Sequence, residues 1–200
     1  MAGAVMNELR SMLRLVLLAG LIALAGCNRE PPPLEGASIG GSFELIDENG
    51  ETVRDTDFAG QYRLIYFGYT FCPDVCPLDM QKLGQGMRVL EAANPSLAAR
   101  IQPIFISVDP ARDTPAVLRE FTDNFHPRLL GFTGSQEVID QVTERYGVYY
   151  QLGEDDGSGR YLVDHSNNTV LFGPAGEPLA IIALDGSGEE IAREIARWAS

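Results

Sequence analysis

The chain has 200 residues, 45% of them apolar and 22% charged, which is the composition of a globular protein rather than a disordered or fibrous one. With 28 acidic and 15 basic side chains its net charge is −13, which argues against a nucleic-acid partner, whose phosphates require clustered Lys and Arg. Three cysteines are too few for a disulfide-stapled scaffold and two histidines too few for a His-rich metal site, so the odd cysteine count is what needs explaining.

Arg10 and Arg14 precede an uncharged apolar run, Leu15 to Gly26, of 12 residues. A membrane-spanning helix takes about 20 residues, so this run suits the hydrophobic region of a signal peptide. It ends in Leu24-Ala25-Gly26-Cys27, which resembles a bacterial lipobox, with Cys27 as the lipid attachment point. The plain alternative is an uncleaved anchor with an incidental cysteine. The expected organisation is a leader over 1–26, a lipidated Cys27 and a Pro/Gly-rich tether over 27–41, and one domain over 42–200. Two or more acyl chains hold a protein stably on a bilayer. The expected location is therefore a bacterial cell membrane, with the domain in the periplasm or extracytoplasmic space. Without residues 1–26 the chain keeps 13 basic and 27 acidic side chains.

Within the domain, Phe43-Glu-Leu-Ile-Asp alternates and Glu48-Asn49-Gly50 signals a turn, so a hairpin is expected. Arg63 to Gly68 is a buried-strand run, and Leu78 to Ala93 follows a helical period. Ile101 to Val108 is a second buried strand, and Asp113-Thr114-Pro115 opens a helix to Asn124. Leu129 to Thr133 is a strand, and Ser135 caps a helix to Tyr146. Tyr161 to Asp164, Thr169 to Phe172 and Leu179 to Leu184 read as strands, and a last helix covers Gly188 to Ala199. This alternation predicts an α/β domain with helices covering a mixed sheet. By pattern alone, a thioredoxin-like or a small flavodoxin-like sheet would do.

If Cys27 carries lipid, Cys72 and Cys76 remain, four residues apart between a strand and a helix. Pro73 and Pro77 stiffen the loop, and a nearby helix N-terminus favours thiolates, which both metal binding and disulfide exchange require. The bland readings are two cysteines packed as small hydrophobes, or an inert disulfide closing a loop too short to stabilise much.

Phe67-Gly-Tyr-Thr-Phe-Cys-Pro-Asp-Val-Cys-Pro77 resembles the copper site of the SCO/SenC family of cytochrome c oxidase assembly proteins. Ser107 to Pro115, Gly131-Phe-Thr-Gly134 and Tyr161-Leu-Val-Asp-His-Ser166 resemble further blocks of that family, in its order, with the acidic, glycine-rich stretch Glu154 to Gly159 as a departure at a hairpin tip. The resemblance implies a thioredoxin-like mixed sheet flanked by helices, with an extra N-terminal β-hairpin. It also implies one copper ion, copper(I) or copper(II), on Cys72, Cys76 and His165, and a Cys72–Cys76 disulfide when oxidised. Soft thiolates select copper(I) and an imidazole lets the same site tolerate copper(II). Asp164 is a candidate for orienting the histidine. His126, at a helix end, reads as structural. Met80 and Met87 read as core, Asp109, Arg112 and Asp113 as a loop salt bridge and helix cap, and Gly84-Gln-Gly86 as part of a helix.

The implied function is a metallochaperone delivering copper from an upstream donor to the dinuclear copper centre of cytochrome c oxidase subunit II. The alternative is a thiol-disulfide oxidoreductase that reduces the cysteines of that centre before metallation. A thioredoxin-fold peroxidase fits poorly, because those enzymes place a Thr three residues before the reactive Cys, whereas Thr70 lies two before Cys72.

Overall fold

The computed structural model describes residues 30–154 and 157–199. Cys27 and the leader lie outside the described residues. Strands β1 (Glu44–Asp47) and β2 (Thr52–Arg54) form the expected antiparallel hairpin, with Leu45 opposite Val53. Its turn closes because the Asp47 carboxylate accepts the Asn49 and Glu51 N–H groups at 2.8 and 2.9 Å, while Gly50 takes φ 84°. A single 3-10 turn (Asp55–Phe58) leads to β3 (Tyr62–Gly68), all seven residues of which are buried. Helix α1 (Val75–Ala93) and the short α2 (Pro95–Ala98) follow, then β4 (Ile101–Ser107), α3 (Pro115–Asp123), β5 (Leu130–Thr133) and α4 (Gln136–Tyr146). Next come β6 (Tyr150–Leu152), β7 (Val163–His165), β8 (Thr169–Phe172), β9 (Pro178–Ile182) and α5 (Gly188–Trp198).

Seven strands form one mixed sheet in the order β2-β1-β5-β4-β3-β8-β9, and β6 and β7 pair separately. The centre is parallel: β3 lies beside β4 from Tyr62↔Ile101 to Gly68↔Ser107, and β4 beside β5. Strands covered on both faces read as near-continuous apolar runs, which accounts for Leu64-Ile-Tyr-Phe67 and Ile104-Phe-Ile106. Each such side chain contributes about 1.5–3 kcal/mol on burial. Both Met80 and Met87 are wholly buried in this core, as expected.

Three local differences from the sequence reading have physical causes. Helix α1 begins at Val75, not Leu78, because Pro77 occupies its first turn, where a backbone N–H has no intrahelical acceptor to lose. Strand β6 is only three residues long and carries no strand pattern; it forms by pairing with β7, Tyr150 opposite His165. The segment read as a tether is partly laid on the domain: Leu34 N–H donates to the Leu179 carbonyl at 3.0 Å and Gly40 N–H to the Arg145 carbonyl at 2.9 Å. The compact unit accordingly starts at Pro32.

Gly84 and Gly86 belong to α1, in keeping with the helical reading. A Cβ on Gly86 would lie 2.4 Å from Ile191 of α5, so this glycine lets two helices approach. A Cβ on Gly84 would lie 2.6 Å from the Phe125 carbonyl oxygen, which the Arg88 guanidinium already holds at 2.7 Å. Gly84→Ala should therefore destabilise the fold. Overpacking costs about 1–3 kcal/mol, against a helix-propensity gain of at most about 1 kcal/mol. Urea denaturation would show a lower midpoint at unchanged slope, and an unchanged or higher midpoint contradicts this account.

Candidate metal centre

The site grows from the carboxyl ends of β3 and β4, where the parallel pair stops and each chain turns away. Gly68, the last residue of β3, has no room for a side chain: a Cβ would lie 2.9 Å from the Cys76 sulfur and 2.8 Å from the Tyr66 ring. The bare backbone lets Cys76 seat its sulfur against the strand. Cys72 sits in the connecting turn and Cys76 in the first turn of α1, so the pair does not lie wholly in a loop ahead of the helix. The Cys76 N–H points back at the Cys72 sulfur, 3.4 Å away. Both thiols are free.

Two buried carboxylates anchor this turn. Asp113 accepts the Thr70 N–H at 3.0 Å, the Thr70 hydroxyl at 2.6 Å and the Ser107 hydroxyl at 2.6 Å. It thus ties the Cys72 turn to the end of β4, and the cap of α3 is Thr114, whose hydroxyl accepts the Val117 N–H. Asp109 pairs with Arg112 at 2.5 Å and accepts the Tyr161 hydroxyl at 2.6 Å. The Arg112 guanidinium lies 3.6 Å from the Tyr161 ring centroid, 5.0 Å from Phe71 and 5.6 Å from Tyr69. These contacts join the Cys72 turn to the β6–β7 hairpin, a link worth up to about 2 kcal/mol per desolvated cation–π contact.

That hairpin carries His165. Its Nε2 lies 3.3 Å from the Cys76 sulfur and its Nδ1 3.0 Å from the Ser166 carbonyl oxygen. With Nδ1 donating to that carbonyl, Nε2 presents its lone pair to the thiols. The rings of Tyr66 and Tyr69 meet the imidazole edge-on at 6.3 and 5.8 Å. Cys72, Cys76 and His165 bring their donor atoms within 4.8 Å of one another, and among the described residues no carboxylate joins them. Thiolate sulfur and imidazole nitrogen are the donor types that soft ions take. The set fits a soft ion.

The two thiols differ. Burial pushes the Cys76 thiol up to about 12, against a backbone hydrogen bond from Tyr69 and with a further push from Cys72. Burial also raises Cys72, but the backbone N–H groups of Cys76 and Asp74, the Cys76 side chain and the Val75 N–H together outweigh it and hold that thiol below its ordinary value. The helix N-terminus thus favours thiolate at Cys72 alone.

Asp164 is exposed, on the face of β7 away from His165, and the group beside the imidazole Nδ1 is the Ser166 carbonyl. His126 is buried away from the thiols: its Nδ1 accepts the Arg128 N–H at 3.2 Å and its Nε2 lies 3.4 Å from Glu91. Burial lowers its pKa, ahead of the raising effect of Glu91. Sequence reasoning missed Tyr66, whose hydroxyl donates to Asp79 at 3.0 Å; Asp79 Oδ2 thus lies across the Tyr66 ring from the strand. It also missed Gly68 and Tyr69, although all three lie on the Tyr66-Phe-Gly-Tyr69 run just before Cys72.

A mixed, helix-flanked sheet with a cysteine pair leaving its central parallel strand at a helix start defines a thioredoxin-like protein carrying a Cys₂His group suited to a soft metal. The family model described as SCO1/SenC matches residues 31–200, and the chain belongs to that family. The "SCO2-like protein" of Rickettsia felis is 37% identical over 92% of this chain and 94% of its own. The mitochondrial "Protein SCO2 homolog" of Bos taurus is 45% identical over 82% of this chain but only 61% of its own, so this chain spans under two thirds of that relative. Among solved structures, ScoI of Bradyrhizobium japonicum with copper bound superposes with a TM-score of 0.73 at 36% identity, covering 80% of this chain and 99% of that one.

The Asp113 anchor has a pH signature. Burial raises its pKa above the ordinary 3.8, ahead of the lowering by Ser107 and Thr70. A carboxyl raised in the folded state binds more protons folded than unfolded, so its contribution is complete below the unfolded value and is lost as pH rises through the folded one. Asp113→Asn keeps the volume and removes the titration. Its melting temperature should therefore gain on the wild type as pH rises above the ordinary carboxylate value of 3.8. Parallel profiles for the two proteins would refute this.

Proposed function

We propose that the protein is a membrane-tethered metallochaperone that takes copper from an upstream donor and delivers it to the dinuclear copper centre of cytochrome c oxidase subunit II. The observation that carries this reading is the convergence of Cys72, Cys76 and His165 within 4.8 Å from two segments distant along the chain, braced by buried side chains. Two thiolates select copper(I), and the imidazole accommodates copper(II). Their two negative charges balance a divalent ion and leave one excess charge on a monovalent one. Copper is cargo in this scheme. Cys72, half-exposed and the more readily ionised, is the ligand that an incoming thiolate of a partner replaces first. The copper-bound ScoI structure, at 36% identity, supports the choice of metal.

A second reading draws on the same inequality of the thiols. The Cys72 thiolate attacks a sulfur of a partner's disulfide, expelling the other sulfur as thiolate. Cys76 then attacks the mixed disulfide, leaving a Cys72–Cys76 disulfide and a reduced partner, with two electrons moved. This needs no imidazole. His165→Ala should keep thiol exchange and lose copper(II), whereas Cys72→Ser and Cys76→Ser should lose both. An anaerobic titration of the reduced wild type should reach one copper per chain with thiolate-to-copper absorption. Binding must displace the proton that burial holds on Cys76, so affinity should fall as pH falls. Failure of the reduced wild type to bind stoichiometric copper would overturn the chaperone reading, and loss of exchange in His165→Ala would overturn the second.

The tether rests on the lipobox-like Leu24-Ala-Gly-Cys27. Among the described residues no helix is long and apolar enough to cross a membrane. Cys27→Ser should abolish an acyl mass increment and release the protein from the membrane fraction on cell lysis. Retention of the variant in that fraction would count against lipid anchoring.

A further inference from the structure

Arg63 is the charged residue within the otherwise apolar β3, at the opposite end of the strand from the thiols, and it is only 5% exposed. Its Nε has no hydrogen-bond partner, and among the described residues its guanidinium makes no ion pair. The favourable contact it does make is with the Phe172 ring, 5.9 Å from guanidinium carbon to ring centroid. A buried guanidinium left with donors unmet is strongly unfavourable unless something meets them.

The guanidinium borders a cavity of about 300 Å³, also walled by Gly41, Ser42, Asp55, Thr56 and Gly176. Gly176 keeps that face open. A Cβ there would lie 2.9 Å from Arg63 Nη2, and the residue holds φ 95°, which disfavours any side chain. Asp55 does not neutralise the cation by contact: one of its oxygens accepts the Phe43 N–H at 3.2 Å, and it forms no ion pair with Arg63.

We propose that this cavity is a binding site for a small phosphate-type oxyanion, held by the Arg63 guanidinium. Its planar fork of donors matches such a group, and the surrounding wall is too small-residued to supply a carboxylate of its own other than Asp55. Two sources offer that chemistry: free inorganic phosphate, and the phosphodiester of a phospholipid headgroup, which the position of the cavity beside Gly41 and Ser42, at the amino-terminal edge of the domain, makes reachable. With Asp55 on the same wall, an ethanolamine phosphodiester meets both charges, whereas inorganic phosphate meets Arg63 alone.

The test uses the full chain in detergent micelles at constant ionic strength, titrated separately with inorganic phosphate and with glycerophosphoethanolamine. A ligand of the folded state raises the melting temperature progressively above its dissociation constant. The wild type should show a saturable rise with at least one probe, together with amide shifts at Ser42 and Gly176. Arg63→Met, which keeps the volume and removes the charge, should show neither, and Arg63→Lys should need several-fold more ligand. The probe with the lower midpoint identifies the source. If Arg63→Met does not fold, the wild-type amide shifts and the Arg63→Lys midpoint decide the matter. An absence of saturable shifts in the wild type, or an equal response in the charge-free variant, overturns the proposal.

Discussion

A buried carboxylate with three donors is the constraint on which the site depends. Where β3 and β4 end together, the last bond between them runs from the Val108 N–H to the Gly68 carbonyl at 2.8 Å, and the ladder stops there although Tyr69 and Val108 are buried. Asp113 takes up the Thr70 N–H and two hydroxyls, from Thr70 and Ser107, and so replaces the missing ladder with side-chain bonds. Asp109 plays the matching part through Arg112 and Tyr161. Without these anchors the Cys72 turn would be an ordinary surface loop and the β6–β7 hairpin a loosely held appendage, since isolated two-stranded hairpins are marginal in water.

That bracing explains how three soft donors come from such different elements. Cys72 belongs to a turn, Cys76 to a helix and His165 to a three-residue strand far along the chain. The bare Gly68 admits one sulfur, the Ser166 carbonyl sets the imidazole tautomer, and two tyrosine rings hold the imidazole edge-on. The unequal thiols follow from the same placement. One sulfur faces backbone N–H groups at the helix start, and the other is enclosed by the core. Metal capture and thiol exchange draw on one geometry, and the imidazole distinguishes them.

Much of the architecture could be read in advance because it rests on patterns local to a few residues. The Asp47-Glu-Asn-Gly50 turn, the buried runs of β3 and β4, and the Ser135 and Thr114-Pro115 helix starts all carry their own physical cause. Elements without such a cause escaped. β6 exists through its partner, and the start of α1 moved because a proline in a first turn costs no hydrogen bond. Asp113 is a close case: the sequence suggests a helix cap one residue before Thr114, and only the spatial approach of Thr70 and Ser107 reveals what the carboxylate holds.

The cysteine pair divides along the same line. By itself the sequence determined that two of three cysteines sit four apart at a strand-to-helix junction of a mixed sheet. Through its resemblance to a family it also nominated one of two histidines as their companion. Composition, spacing and period are properties of neighbouring residues, so they survive without coordinates. Tertiary structure alone decided that His165 reaches Cys76 while His126 is buried against Glu91. It alone decided that Asp164 faces away, that one thiol is raised and the other lowered, and that Arg63 borders a cavity at the opposite end of β3. Those outcomes depend on burial and on contacts between residues distant along the chain, such as the 89 residues separating Cys76 from His165, and no local pattern encodes them.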